Sequence, residues 1–82
     1  MTTTAPTPNR VLRAVRIDMG LSQDDFAAAL RRAGDELGEP NKASRRLVER
    51  WESGTSRTPR AGYIRALERV TGMTAEDLDI GW

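Results

Sequence analysis

The side chains best placed to do chemistry in this sequence are guanidinium groups, and they are unevenly spread. Lys42, Arg45, Arg46, Arg50, Arg57 and Arg60 fall between positions 41 and 60, opposed there only by Glu49 and Glu52. The chain as a whole carries 13 basic and 12 acidic residues, a net charge of +1, so the excess is local. A basic region on a balanced body suits a polyanionic partner, and a solvated helix face is the plainer reading. The paired carboxylates Asp24-Asp25 and Glu76-Asp77 are weaker candidates. They follow Ser22 and Thr74, where first-turn carboxylates complement the positive end of a helix, so capping explains them. There is no histidine and no cysteine. That removes the commonest general base, the commonest metal ligand, thiolate sites and disulfides. With no Gly-rich phosphate loop and no nucleophile–base set, an enzyme is not expected. Nor is a metal, another cofactor or a small-molecule ligand.

These groups need elements to hold them. Asn9 can cap a first helix over about 10–19, in which Leu12, Val15 and Met19 recur at helical spacing before Gly20. Ser22-Gln-Asp-Asp25 opens a second helix. Phe26, Leu30, Ala33 and Leu37 form one stripe along it, so it is expected to run to about Leu37, with Gly38 and Pro40 ending it. Gly34 weakens its middle by about 1 kcal/mol relative to alanine, and a break there is the alternative. Ser44 and Gly54 bracket a third helix. Its Leu47, Val48 and Trp51 point one way and its Arg45, Arg46, Glu49 and Arg50 the other. Thr58-Pro59 reads as the cap and first position of a fourth helix carrying Tyr63, Ile64, Leu67 and Val70. Thr74-Ala-Glu-Asp77 opens a short fifth one carrying Leu78. No stretch alternates with period two, so no sheet is expected.

The chain has 82 residues, the length of one small domain. Of its apolar residues ten are alanine, which limits the core, and a domain this size buries only ~60–65% of its unfolded surface. Residues 1–9 read as a disordered Thr/Pro-rich tail and 10–82 as the folded domain. No apolar run approaches the ~18 residues of a membrane span. Met1 to Pro8 lacks the basic start and apolar stretch of a secretory leader, so a cytoplasmic location is expected.

Five short helices with a small basic one third in order resemble a helix-turn-helix module. The stretches Leu12-Arg-Ala-Val-Arg16, Gly20-Leu-Ser-Gln23, Arg50-Trp-Glu-Ser-Gly54, Pro59 and Thr71-Gly-Met-Thr-Ala-Glu-Asp-Leu78 are together similar to the Xre/Cro type, the lambda-repressor-like DNA-binding domains, over about residues 10–80. The resemblance implies an all-α, five-helix fold. It also implies a recognition helix at about 44–53 in the major groove of double-stranded DNA. Arg45, Arg46 and Arg50 are then the base-contacting residues, since a guanidinium grips guanine O6 and N7 in a bidentate way. Glu49 either accepts from a cytosine amino group or holds Arg45 at i,i+4, the second being favoured. Phosphate contacts are expected from Ser22 and Gln23 at a helix start, from Ser44, and from Thr55, Arg57 and Arg60 in the loop after the third helix. Plain helix propensity for Gln23 and a solvated loop for the others are the alternatives. Arg16 and Glu52 match a structural ion pair. Leu78, Ile80 and Trp82 are candidates for a homodimer contact, or for a tail folded onto its own core.

The sequence departs from the family between the second and third helices. Thirteen residues separate Leu30 from Ser44, where two or three are usual. The surplus of about eleven is almost three helical turns, which keeps the same face inward. A straight helix overshoots by ~16 Å, and residues 38–43 can return over at most ~20 Å. Asp35, Glu36 and Glu39 make this 31–43 extension acidic, so it is expected to point away from phosphate. It serves either as a surface for a protein partner or as a prop for the third helix. The expected function is that of a small, bacterial or phage-type transcriptional regulator, repressor-like and dimeric. The alternative is a protein-interaction module of the antitoxin or adaptor type, with DNA binding secondary.

Overall fold

The computed structural model describes residues 9–54 and 59–80. Within them the chain forms four helices, α1 (Arg10–Asp18), α2 (Gln23–Glu36), α3 (Arg45–Ser53) and α4 (Ala61–Thr71), and no strand. The all-α class therefore stands. Residues 1–8 of the expected 1–9 tail and the loop residues Thr55, Ser56, Arg57 and Thr58 lie outside the described residues, as does Trp82.

Most helix starts follow the local chemistry. Asn9 Oδ1 accepts the Leu12 N–H at 2.9 Å. Ser22 Oγ accepts from Asp25 N–H while the Asp25 carboxylate accepts from Ser22 N–H, a reciprocal cap for α2. Ser44 Oγ accepts from Leu47 N–H and starts α3. Gly54 ends α3 at φ 85°, a left-handed conformation that glycine adopts without a Cβ penalty. The start of α4 is different from the expected one. The helix begins at Ala61, Arg60 occupies the cap position without a side-chain cap bond, and Pro59 lies ahead of it, buried.

The core is built from Leu12, Phe26, Leu30, Val48, Leu67, Leu78 and Ile80, all fully buried, with Trp51 and Ile64 beside them. The Trp51 and Tyr63 rings meet edge to face, centroids 5.5 Å apart, which ties α3 to α4 and keeps Trp51 in the core. Two stripes end earlier than their spacing predicts. α1 stops at Asp18, and Met19, in its C-cap, is 40% exposed. Leu37 is the C-cap of α2 and 37% exposed. In both, the last member of the stripe falls where the chain is already leaving the helix axis.

The fifth predicted helix is a single turn. Leu78 N–H reaches Thr74 O at 3.0 Å, and Thr74 Oγ1 accepts from Asp77 N–H. Asp79 then takes φ 57° and the chain leaves the helical path. One turn suffices to drive Leu78 and Ile80 into the core.

α2 is unbroken at Gly34, and the chain after it folds straight back. Gly38 turns at φ 72° and Glu39 N–H bonds Gly34 O at 2.8 Å. Asn41 Nδ2 donates to Leu30 O at 3.0 Å, Ala43 N–H donates to Asn41 Oδ1, and Arg31 Nη1 donates to Ala43 O at 2.6 Å. The return thus lies along the last turns of α2 and delivers Ser44 to the start of α3.

Candidate nucleic-acid interface

α3 divides cleanly. Val48, Trp51 and Glu52 are buried, Leu47 is half-buried, and Arg45, Arg46 and Arg50 are exposed. A nine-residue helix has two and a half turns, so positions 46 and 50 stack one turn apart, and 45 and 49 form a second row. Arg45 Nε donates to Glu49 Oε1 at 2.8 Å. That hydrogen bond raises the Arg45 guanidinium further above its ordinary range, and the charges of Glu49 and then Asp24 add to it. Of the two roles open to Glu49, the pairing with Arg45 is the one observed. Arg46 and Arg50 have no salt-bridge partner among the described residues.

Beneath this face lies an ion pair that closes on three sides. Arg16 Nε and Nη2 donate to the two Glu52 oxygens at 2.6 and 3.0 Å. Arg16 Nη1 donates to Leu21 O at 2.9 Å, and Gln23 Nε2 donates to Glu52 Oε1 at 3.3 Å. Both charged residues are buried. The Glu52 hydrogen bond raises the Arg16 pKa despite burial, which opposes it. Every charged oxygen and nitrogen has a partner, so the pair fixes α1, the start of α2 and α3 in one register.

The remaining candidates separate by what already engages them. The Ser22 hydroxyl accepts the Asp25 N–H and the Ser44 hydroxyl accepts the Leu47 N–H, so both are capping residues. Gln23 is half-buried and turned to Glu52. Arg60 is exposed beside the uncapped N-terminus of α4, in a shallow depression shared with Glu39, Pro40, Asn41, Lys42, Gly62 and Tyr63. Thr55 and Arg57 lie outside the described residues. Leu78 and Ile80 are each 0% exposed within this one chain, so they fill its core and present nothing to a second copy.

No protein-family model, curated protein or solved structure matches this chain. Its site therefore rests on its own geometry. Among the described residues no group of acidic side chains has the clustering that a metal ion needs, and no helix is long and apolar enough to cross a membrane.

Three residues matter more than their sequence context indicates. Asn9 is buried, and beyond capping α1 its Nδ2 donates to Leu78 O at 3.0 Å and Asp79 O at 3.3 Å, while its N–H donates to Glu52 O at 2.9 Å. It belongs to the folded domain and not to the tail. Gly34 is buried against the return segment, and a Cβ there would lie 2.7 Å from Glu39 O and against the Asn41 amide. Asn41 fastens that segment. In the sequence Gly34 reads only as a weak point of its helix. Nothing local marks Asn41.

Two acids of the extension pair with α4 at the surface. Glu39 accepts from Arg65 Nε at 2.6 Å and from Arg65 Nη2, and Glu36 accepts from Arg69 Nε at 2.9 Å. The Arg65 hydrogen bond holds the Glu39 carboxyl below its ordinary range. The extension is thereby docked on α4.

Proposed function

We propose that this chain binds duplex DNA sequence-specifically, as a small transcriptional regulator of the lambda-repressor-like type, with α3 in the major groove. The observation that carries the reading is the outward face of α3, where Arg46 and Arg50 stand exposed with no acidic partner among the described residues. The groove, about 12 Å wide, admits one helix, and two arginines one turn apart lie about 6 Å apart along it. Each bidentate arginine–guanine contact discriminates by about 1–3 kcal/mol, which favours a G-rich half-site. Arg45 joins them by giving up an exposed pair with Glu49, a hold that salt and solvent weaken. The uncapped start of α4 beside Arg60 offers backbone N–H groups and a cation to a phosphate. The Arg16–Glu52 pair keeps α3 set into the body while its other face stays free. Two of the three acids of the extension, Glu39 and Glu36, are paired with Arg65 and Arg69, which lessens their repulsion of phosphate.

Selection from random duplexes at physiological salt tests this, run beside a folded Arg45→Ala/Arg46→Ala variant. A motif that the variant loses supports readout by α3, and its symmetry reports whether two copies bind together. No enrichment, or the same motif recovered by the variant, overturns the assignment and leaves the protein-interaction alternative.

A further inference from the structure

We infer that Gly34 and Asn41 are positioning residues for the recognition face: the fold-back between α2 and α3 sets the angle at which α3 is presented, and so sets sequence discrimination. The inference rests on the DNA-binding reading. Helix-turn-helix elements joined by a tight turn inherit their angle from that turn. Here α2, Gln23–Glu36, continues beyond Leu30 to Glu36, and the angle is set by how the chain returns.

The return is held at four consecutive points. Glu39 N–H is bonded to Gly34 O, Asn41 Nδ2 to Leu30 O, Ala43 N–H to Asn41 Oδ1, and Ala43 O to Arg31 Nη1. The last of these lies one residue before Ser44, the cap of α3. Ala43 itself is buried, so the point of attachment is fixed on both sides. The fold-back can lie this close because position 34 has no side chain. A Cβ there would require Glu39 O, at 2.7 Å, to retreat by about 0.7 Å to reach ordinary contact, and the Asn41 amide to leave its place. That displacement passes along six tethered residues to the N-terminal end of α3, where base-contacting side chains sit. None of Arg31, Gly34 or Asn41 belongs to the arginine face, so they act only through its position.

The test compares two dissociation constants for each protein: one for the selected duplex, one for a scrambled duplex of equal length. Both are taken at two salt concentrations on the full chain. The variants are Gly34→Ala and Asn41→Ala; the second removes two hydrogen bonds from a half-buried site that lies outside every helix. Each is measured at a temperature where circular dichroism shows it folded. The expected result is a loss of the specific-to-scrambled ratio of about tenfold or more, the scale of one mismatched base pair. Scrambled-duplex affinity and its salt slope stay within about twofold, because the same cations still face phosphate. The double variant should lose less than the product of the two single losses, since both act on one segment. Equal losses on both duplexes, or an unchanged ratio in Asn41→Ala, overturn the inference while leaving the DNA reading in place. A wild-type chain that prefers no duplex overturns both.

Discussion

Arg16 and Glu52 show how a charged residue serves position instead of contact. Their bidentate pair is buried, and removing one partner strands the other where little water reaches it. Arg16→Ala is expected to destabilise the fold by about 3 kcal/mol, read from the urea midpoint. Its DNA affinity should then fall only as far as the unfolded fraction rises. Arg46→Ala should do the opposite, leaving the midpoint unchanged and removing preference at one base position. Asn9→Ala removes a cap and the donor to two carbonyls at once, for a loss of about 2 kcal/mol in the same assay. A urea midpoint unchanged by that substitution would show the Asn9 contacts to be incidental.

At the level of elements, the extension of α2 is docked by Glu36–Arg69 and Glu39–Arg65. The carboxyl of Glu39 has an ordinary value of 4.5 and lies below it in the fold. A depressed carboxylate contributes stability above its unfolded pKa and loses it as pH falls through the folded one. The midpoints of wild type and Glu39→Gln should therefore differ at neutral pH and converge as pH drops below 4.5, a window read by denaturation at a series of pH values. A difference that persists unchanged in acid would mean the pair is not the link. High salt should narrow the same difference, since both partners are exposed.

On the scale of the whole molecule, buried charge locks three helices together, paired charge docks the extension on α4, and exposed guanidinium groups remain on α3. On the proposed DNA reading, phosphate binding by those groups would release counterions, so the logarithm of affinity should fall linearly with the logarithm of salt. Arg60→Ala should lower that slope by about 1 and weaken all duplexes alike, as a phosphate contact does. A change in base preference instead would move Arg60 from phosphate to bases. Because Leu78 and Ile80 are consumed by the core, dimerisation through them would require the C-terminal turn to come out. The chain is expected to sediment as a monomer off DNA over the micromolar range unless another surface joins two copies.

The sequence by itself determined what depends on near neighbours. Caps at Asn9, Ser22 and Ser44, the stop at Gly54, the continuity of α2 through Gly34 and the two faces of α3 all follow from hydrogen bonds and periodicity spanning a few residues. The Arg45–Glu49 pair belongs there too, being one helical turn long. The Arg16–Glu52 pair was legible only through the family resemblance, because 36 positions separate its members. Tertiary structure alone decided the rest. Thr74-Ala-Glu-Asp77 begins like a helix, yet one turn is all the chain forms before Asp79 turns away and Ile80 enters the core. Whether Leu78 and Ile80 face the core or a partner depends on the space that Asn9, α3 and α4 leave them, which no local pattern encodes. Gly34 reads as a weakness of its helix and proves to be the gap through which the return segment packs. A missing Cβ has meaning only once another part of the chain has arrived beside it.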